Sequence, residues 1–402
     1  MKILVLSSVY PRNNMEKGES CTKVVHEFAK EWNSLGHDVR VVHCNTRYPI
    51  VLHCLPRRIR TLIKNQTGVE IGPVNSIKED EYNYEGVSVY RISFLKLIPH
   101  GCEGKHAIDY LFRKIRCYLE NGGFVPDVIV AHWTSPQAPL LVRLKELYGA
   151  RTSIVMHGTG YITNPKYHIE KYLCNIDKIG CRSLTEARRT QELLNIKDLP
   201  FICYSGIPNH YCEECFHGEK FEDTKVFTIA CVSELIKRKN IDVLIDSVVR
   251  IREKGINVRL DIIGEGFERE NLSALVENYN ASKYVNFHGR KPRDQVMQML
   301  RHAQCFALVS KDEIFGLVYL EAMISSCITI GSKFEGIDGI IVNSENGFLS
   351  PAGDAKALTN TLLKIATMSP EDKLIMAKKG YNTSKSFSNS KMAIDYLNKV
   401  LK

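Results

Sequence analysis

The feature of this sequence that most constrains its fold is a repeated alternation of short apolar runs with segments of helical periodicity. The apolar runs, such as residues 2–6 and 258–263, are rich in β-branched residues and are no longer than a strand. Such alternation is typical of parallel sheets that are covered by helices on both faces. It occurs twice, on either side of a polar stretch at about residues 207–225. The sequence therefore predicts an α/β protein with two doubly wound domains in tandem.

The length of 402 residues fits two such domains of roughly 150 to 200 residues each. We place the N-terminal domain at residues 1–207 and the C-terminal domain at residues 208–387. The last segment, at about residues 388–402, has an amphipathic helical pattern and is expected to pack back onto the N-terminal domain. Because doubly wound domains bind ligands at the carboxyl ends of their strands, we expect the ligand in a crevice between the two domains.

Periodicity also predicts the individual elements. In the first half, strands are expected at residues 2–6, 38–43, 87–92, 128–131, 152–156 and 178–181, with a helix at residues 22–35. In the second half, strands are expected at residues 227–232, 258–263, 285–288, 305–308 and 328–331. Helices are expected there at residues 240–254, 268–279, 293–301, 316–325 and 355–366.

Composition and apolar run length bear on the cellular location of the protein. No apolar run approaches the roughly 20 residues that a membrane-spanning helix needs. The apolar N-terminus is about seven residues long and lacks a cleavage site, so a first strand is a better interpretation than a signal peptide. The 13 cysteines are scattered without a regular framework, which is typical of reduced, mostly buried thiols. We therefore expect a cytoplasmic protein.

The net charge of +9 is unevenly distributed. Residues 1–200 contain 28 Lys and Arg against 20 Asp and Glu, whereas the remainder contains 26 against 25. Such a bias suits an anionic partner or an anionic membrane surface. The segment PRRIRTLIK, residues 56–64, carries four cations and is either a solvated helix face or a contact for lipid headgroups. No nucleic-acid-binding motif is present, so nucleic acid is not expected as a partner.

Several common ligand motifs are missing. The first strand is followed by SSVYPRNNMEKGES, with Gly18 alone where a nicotinamide enzyme has G-x-G-x-x-G. Neither a P-loop nor an Asp-x-Asp dyad for a divalent cation occurs in the chain. The group His210, Cys212, Cys215 and His217 could supply zinc ligands, but four ligands within one tight loop are awkward, so we expect an ordinary linker.

The segment SKDEIFGLVYLEAM, residues 310–323, is the most informative. Gly316 stands where a helix is expected to begin, Glu313 lies in the loop before it, and Glu321 falls in the second turn. The N–H groups at a helix start are unpaired and attract anions. Carboxylates accept hydrogen bonds from hydroxyl groups. The segment is therefore suited to a nucleoside diphosphate with an attached sugar, but taken alone two glutamates at this spacing are surface charge in most chains.

This segment also carries a family resemblance. Glu313-x7-Glu321, with Phe315 and Gly316 inside it and Ala322 after it, resembles the E-x7-E signature of the retaining glycosyltransferases of family 4. That family has the two-domain GT-B fold, two Rossmann-like sheets that face a central cleft. Four more segments of residues 225–385 resemble the same family: VSELIKRKNIDVLIDSV, IIGEGFERENL, VNFHGRKPRDQVMQML and ENGFLSPAGDAKAL. In the first half, the resemblance rests on Gly18, MHGTGY with His157, and YSGIP at residues 204–208.

The resemblance implies a set of site residues. Catalysis would depend on His157, Glu313 and Lys239. The donor would bind to Gly18, Ser233, Lys239, Gly264, Arg290, Glu313, Ile314, Phe315, Gly316, Leu317 and Glu321. No metal or other cofactor is implied, because Lys239 and the helix start would neutralise the diphosphate.

The implied activity is transfer of a sugar from a nucleotide sugar, more readily a UDP-sugar than a GDP-sugar, with retention at the anomeric carbon. The basic first domain suggests a lipid-linked glycan acceptor at the cytoplasmic face of the membrane, as in bacterial surface polysaccharide biosynthesis. One residue departs from the family pattern, because Glu234 stands where an arginine is common. This departure leaves open a nucleotide-sugar-binding scaffold with weak or no turnover, and a nucleotide-sugar epimerase is a third interpretation.

Overall fold

Two sheets, both built mainly from parallel strands, organise the chain. The computed structural model describes residues 1–13, 21–67, 69, 71–97, 103–164, 167–222 and 225–402. The chain divides into two units: unit 1 comprises Met1–Arg182, Glu186–Cys203 and Met392–Lys402, and unit 2 comprises Ser183–Thr185 and Tyr204–Lys391. The predicted α/β class with two parallel-sheet domains is confirmed.

Unit 1 contains a sheet of eight strands within the described residues, in the order β3-β4-β2-β1-β5-β6-β7-β8. All neighbours pair in parallel except β3 and β4. The strands are β1 (Lys2–Ser7), β2 (Asp38–Arg47), β3 (Asp80–Tyr84), β4 (Val87–Leu95), β5 (Val128–His132), β6 (Arg151–Met156), β7 (Lys178–Cys181) and β8 (Phe201–Ile202). The six predicted strands are all present, several of them one to four residues longer than predicted.

The helices of unit 1 cover both faces of this sheet. They are α1 (Val24–Ser34), α2 (Ile50–His53), α3 (Arg57–Thr67), α4 (Lys105–Asn121), α5 (Gln137–Tyr148), α6 (Gly160–Thr163), α7 (Glu170–Leu173), α8 (Leu184–Leu194, whose first two residues fall in unit 2) and the C-terminal α16 (Asn389–Leu401, from Met392 onward). Ile3 and Val5 belong to one apolar core, whereas Leu4 and Leu6 belong to another, as alternation along a strand requires. Both faces of β1 are therefore buried.

The C-terminal helix α16 packs into the core of unit 1. The indole Nε1 of Trp32 donates to the carbonyl oxygen of Ala393 at 2.8 Å, and Tyr396 is buried against Phe28 and Trp32. Burial of two such aromatic side chains stabilises the association by roughly 3 kcal/mol or more. The last residues of the chain are therefore part of the first unit's core.

Unit 2 contains a sheet of six parallel strands within the described residues, in the order β11-β10-β9-β12-β13-β14. The strands are β9 (Phe227–Val232), β10 (Val258–Ile263), β11 (Val285–Phe287), β12 (Cys305–Ala307), β13 (Ile328–Ser332) and β14 (Phe348–Ser350). The helices are α9 (Asn209–Glu213), α10 (Ile241–Glu253), α11 (Arg269–Asn278), α12 (Arg293–His302), α13 (Leu317–Ile324), α14 (Ala355–Thr367) and α15 (Pro370–Ser384). Strands β9 and β10 coincide with the prediction.

The polar stretch at residues 207–225 belongs to unit 2. Ile207, Tyr211 and Phe221 are buried in the core of unit 2, and the backbone N–H of Ile207 donates to the carbonyl of Phe387 at 2.8 Å. The main segment of unit 2 therefore runs from Tyr204 to Lys391 and starts a few residues before the predicted boundary. The apolar anchors in this stretch are too widely spaced to form a periodic pattern, which is why they were not recognised.

Within the described part of the chain, no helix combines the length and apolar composition that a bilayer crossing requires. The segment PRRIRTLIK forms most of α3, which begins at Arg57. Elements that the sequence did not predict include β3, α4, α5, α8, β14 and α15. The described cysteines have no disulfide partner, and half of them are buried, fewer than predicted.

Candidate active site

The loop that enters α13 has a backbone shape that only glycine adopts easily. Gly316 precedes the helix with φ +77°. A Cβ at this position would lie 2.5 Å from the ring of Tyr319. That ring cannot yield, because it is buried and its hydroxyl donates to the carbonyl of Leu308 at 2.9 Å. The helix start is therefore held in one conformation, with the first N–H groups at Leu317 and Val318 lacking acceptors within the helix.

Glu313 contacts a lysine in front of this helix. Its carboxylate forms a hydrogen-bonded ion pair with the Nζ of Lys239, and both side chains are mostly buried. The guanidinium of Arg238 lies 4.0 Å from the same carboxylate. Lys239 ends a 3-10 helix, Lys237–Lys239, directly before α10. The structure thus brings together Lys239 and Glu313, which are 74 positions apart in the sequence.

A second carboxylate fixes the backbone of the Glu313 loop. Glu335 is buried, and its two oxygens accept hydrogen bonds from the backbone N–H groups of Asp312 at 3.1 Å and Glu313 at 2.8 Å. The N–H of Gly336 donates to the carbonyl of Glu313 at 2.7 Å. Hydrogen bonds to an ionised acceptor are about twice as strong as neutral ones. Glu335 therefore positions the loop that carries Glu313.

Glu321 lies in the second turn of α13, where the sequence placed it. Its carboxylate pairs with the guanidinium of Arg293, the first residue of α12. Burial raises the pKa of Glu321 above its ordinary value, against the opposing effect of Arg293. The guanidinium of Arg293 also lies over the ring of Tyr211, 5.6 Å from its centroid. Glu321 is therefore paired with Arg293, a different cation from the one that pairs with Glu313.

Ser233, Gly264 and Arg290 follow the neighbouring strands β9, β10 and β11. The N–H of Gly264 donates to the carbonyl of Gly289 at 2.9 Å, and a Cβ on Gly264 would collide with the carbonyl of Ser233. Arg290 is exposed. Because these strands are parallel, the three residues lie at the carboxyl edge of the sheet, the edge at which doubly wound sheets bind ligands.

Phe315 and Ile314 complete the loop. Phe315 is buried, and its ring lies 5.5 Å from the ring of Tyr204. The backbone of Ile314 would collide with a Cβ on Gly336. These contacts support the loop.

Glu234, the residue that departs from the family pattern, is exposed to solvent. Solvent screening weakens the repulsion that an exposed carboxylate exerts on an anion.

His157 lies in unit 1, directly after β6. Its Nε2 lies 3.0 Å from the Nδ1 of His132, and its ring stacks on the indole of Trp133 with 4.1 Å between centroids. Burial, together with the charge of Arg182, holds the pKa of His157 well below its ordinary value. His157 is therefore a neutral, tightly held ring.

Two further sequence predictions concern Gly18 and the absence of a metal site. Gly18 lies outside the described residues. Among the residues that the structure describes, no group of three or more His, Cys, Asp and Glu side chains could hold a metal ion. In the segment with the candidate zinc ligands, the ring of His210 lies 4.2 Å from that of the buried Tyr211, and Glu214 pairs with Arg301.

Sequence reasoning missed three residues that organise these sites: Glu335, Arg293 and His132. His132 ends β5, which pairs with β6, so its position at the same sheet edge as His157 could have been inferred. Arg293 opens a predicted helix, but its partner is 28 positions away. Glu335 follows β13 in a turn with no periodic pattern, and nothing in the sequence singles it out.

Comparison with known proteins finds similar glycosyltransferases. Residues 214–383 match the family model described as glycosyl transferases group 1. The chain is 24% identical over 338 residues to an uncharacterized glycosyltransferase of Methanocaldococcus jannaschii, covering 82% of this chain and 89% of that protein. It is 27% identical over 150 residues to an Escherichia coli glycosyltransferase named for colanic acid biosynthesis, covering 36% of this chain and 37% of that protein.

Solved structures resemble the whole chain. A sucrose-phosphate synthase of Thermosynechococcus elongatus superposes with a TM-score of 0.71 and 17% identity, covering 99% of this chain and 98% of the other. A protein of Anabaena solved in complex with UDP and glucose superposes with a TM-score of 0.62 and 16% identity, covering 99% and 98%. The predicted enzyme class is confirmed: the chain is a glycosyltransferase, and its match to the glycosyl transferases group 1 model lies in the C-terminal unit.

Proposed function

We propose that this glycosyltransferase moves a sugar from a nucleotide sugar, preferably a UDP-sugar, to a hydroxyl of a glycan acceptor with retention at the anomeric carbon. The observation that carries the proposal is the contact of Lys239 with Glu313 beside the start of α13. It combines a cation, a hydrogen-bond acceptor for hydroxyl groups and a helix N-terminus in one place. The Anabaena structure, solved with UDP and glucose, supports the choice of nucleotide.

The chemistry follows from where charge develops. The bond between the anomeric carbon and the diphosphate oxygen breaks, a bond to the acceptor oxygen forms, and the acceptor's proton passes to the departing phosphate. Negative charge grows on the diphosphate, so groups that stabilise it lower the barrier most. Lys239 and the N–H groups at Leu317 and Val318 would provide this stabilisation.

The carboxylates would then hold hydroxyl groups. Glu313 pairs with Lys239 in the structure, and we propose that Lys239 turns to the diphosphate when the donor binds. That exchange would release Glu313 to accept hydrogen bonds from the sugar, while Glu321 holds the ribose. No metal or other cofactor takes part in this proposal. A role for His157 beside the donor sugar rests on the family resemblance.

Transfer by point variants tests this proposal. We expect Lys239→Met and Glu313→Gln each to lower turnover about 100-fold or more, the cost typical of removing a group that stabilises developing charge. The matched control is Lys237→Met, which removes an exposed cation two residues earlier. The measurement is release of UDP from a panel of UDP-sugars with an acceptor present. Turnover at the wild-type rate in both variants would contradict the proposal, as would donor binding by the wild type without release.

The acceptor is proposed to be lipid-linked and to be met at the cytoplasmic face of an anionic membrane. The support lies in α3 of unit 1. Ile59 and Leu62, three residues apart and so on one side of α3, are 43% and 58% exposed. Arg57, Arg58 and Lys64 are exposed on the same helix. Exposed apolar side chains among cations are typical of a helix that lies on an anionic bilayer.

One of the four cations has another role. Arg60 donates through Nε to the carbonyl of Leu55 at 3.0 Å and through Nη1 to that of Ile71 at 3.1 Å. It therefore anchors α3 to the unit. A test of membrane contact should leave Arg60 unchanged.

Vesicle sedimentation tests the membrane part. We expect binding to vesicles of phosphatidylcholine and phosphatidylglycerol, weakened by salt, and little binding to phosphatidylcholine alone. The double variant Ile59→Ser, Leu62→Ser should lose binding. Leu147→Ser is the control, because Leu147 is 42% exposed elsewhere in unit 1. Binding that is unaffected by salt, or equal losses in both variants, would contradict the proposed surface.

A further inference from the structure

His132 and His157 form a pair whose protons are not independent. β5 and β6 are parallel neighbours, so the carboxyl ends of the two strands place the two rings side by side. The Nδ1 of His132 lies 3.0 Å from the Nε2 of His157. At this distance one nitrogen must carry the hydrogen and the other must accept it. The proton position on His132 therefore dictates the proton position on His157.

The surroundings of His132 decide between the two arrangements. Its ring is fully buried, stacked 5.9 Å from Phe28 and set edge-on 5.7 Å from Tyr396. Its other nitrogen, Nε2, has no hydrogen-bond partner among the described residues. A buried N–H without an acceptor is rarer and more costly than an unused acceptor. The arrangement with no proton on Nε2 of His132 is therefore favoured.

We infer that His132 is a positioning residue that donates its Nδ1 hydrogen to His157 Nε2. As a neutral ring, His157 then carries its own hydrogen on Nδ1. The remaining nitrogen of His157 is consequently a hydrogen-bond donor. This inference rests on the proposed function in one respect: the oxygen that it would meet is a hydroxyl or phosphate oxygen of the nucleotide sugar.

Burial keeps both rings uncharged. Burial, together with nearby Arg182, also holds the pKa of His132 well below its ordinary value. In a neutral His157, Nδ1 carries the hydrogen and the lone pair of Nε2 is occupied by His132. The ring therefore has no free lone pair with which to take a proton from the hydroxyl of the glycan acceptor. Its role is therefore to donate a hydrogen bond, and the base must be another group.

Trp133 holds the plane of the His157 ring. The two rings are 14° from parallel, and the backbone N–H of Trp133 donates to the carbonyl of Val155 at 3.1 Å. Trp133 has φ +64°, a backbone shape that is rare for a bulky residue. Strain of this kind persists only where the surrounding structure imposes it. The stacking therefore fixes where the Nδ1–H of His157 points.

Nitrogen-15 NMR of histidine-labelled protein tests the inference without any substrate. Long-range spectra at neutral pH should show His157 of the wild type with its hydrogen on Nδ1. His132→Phe keeps a ring in the core but removes the donor, so the proton of His157 should redistribute. His132→Asn places an amide near the position of Nδ1 and should restore the Nδ1–H form. His43→Phe is the control, because His43 is a buried histidine of unit 1 that contacts Ser8.

Kinetics adds a second readout. We expect His132→Phe to lower kcat about tenfold with little change in the KM for the donor, and His132→Asn to recover most of it, since one neutral hydrogen bond is lost. A wild-type spectrum with the hydrogen of His157 on Nε2 would overturn the inference, and it decides the matter even where His132→Phe does not fold. A wild type with Nδ1–H but no transfer from any nucleotide sugar would support the inference and sink the proposed function instead.

Discussion

The two units hold their candidate site residues in opposite electrostatic states. In unit 2, the two carboxylates of the E-x7-E segment each pair with a cation, Glu313 with Lys239 and Glu321 with Arg293. In unit 1, His132 and His157 are neutral and contact each other in an aromatic environment.

The difference shows what each arrangement can do. The ion pair keeps Lys239 charged, so a diphosphate, which carries more negative charge than one carboxylate, can compete with Glu313 for the same lysine. A buried neutral pair has no such exchange available and instead keeps one donor in a fixed direction. Unit 2 is therefore suited to bind and neutralise charge, whereas unit 1 is suited to orient an uncharged group.

The largest effect is expected from Gly316→Ala in unit 2. A left-handed backbone costs a residue with a Cβ about 1–2 kcal/mol, and the displacement of Tyr319 brings the loss of stability to roughly 3 kcal/mol. We expect donor binding to weaken about 100-fold because the helix start moves. Urea unfolding and calorimetry with UDP measure the two losses.

Gly353→Ala is the matched control for that variant. Gly353 has φ +78°, close to that of Gly316, but a Cβ there would meet nothing within 4 Å. Only the backbone cost of about 1–2 kcal/mol remains, and donor binding should be unchanged. Equal effects of the two variants would show that the contact with Tyr319 has no role.

The next largest effect is expected at Glu335. Its Ala and Gln variants distinguish a role in positioning the loop from a role of its charge. In Glu335→Ala the N–H groups of Asp312 and Glu313 lose their acceptors, so we expect about 1–3 kcal/mol less stability and a donor KM about tenfold higher. Glu335→Gln keeps one acceptor oxygen and should lie between the two. Glu345→Ala, an exposed residue of the same unit, is the control. A KM at the wild-type value in Glu335→Ala would contradict the positioning role.

Lowering the pH should decrease the stability of unit 1, because its buried histidines resist protonation in the folded state. Burial lowers the pKa of His26 to about 4 and of His43 to about 3, while those of His132 and His157 are also well below the ordinary value of 6.5. Groups with a depressed pKa stabilise the fold above the unfolded pKa, and that stability is lost as the pH falls from 6.5 through the folded values.

Tryptophan emission reports this loss selectively, because both tryptophans of the chain, Trp32 and Trp133, lie in unit 1. The free energy of unfolding measured by emission should fall when the pH is lowered from about 7 to about 5, by up to roughly 1.4 kcal/mol per buried histidine for each pH unit below 6.5. His26→Asn should show a shallower dependence. A free energy of unfolding that is constant over this range would contradict the account of unit 1.

The smallest effect is expected at Glu321 and has the opposite sign. Because burial raises its pKa, Glu321 favours the fold below its unfolded pKa, and this contribution is lost as the pH rises through the folded pKa. The stability of the wild type relative to Glu321→Gln should therefore fall with rising pH. Urea titrations of both proteins at several pH values measure it. A difference that grows in favour of the wild type would mean that Arg293 outweighs burial.

Sequence patterns predicted the sheets well because the strands are buried on both faces and read as continuous apolar runs. The start of α13 and the positions of Glu313 and Glu321 around it could also be predicted, since Gly316 and the two glutamates lie within one local segment. What the sequence could not supply were partners from distant turns: Glu335 binds backbone groups, which leave no mark on composition, and Arg293 is one cation among many. Helix α5 was missed because apolar residues surround it more evenly than a periodic stripe requires.

The most direct test of the central claim is a calorimetric titration with UDP. If Lys239 and the start of α13 hold the diphosphate, wild type should bind UDP and Lys239→Met should bind it at least about tenfold more weakly, the loss expected for one charge-assisted contact. Lys237→Met should match the wild type. Equal affinity of wild type and Lys239→Met for UDP would contradict the account.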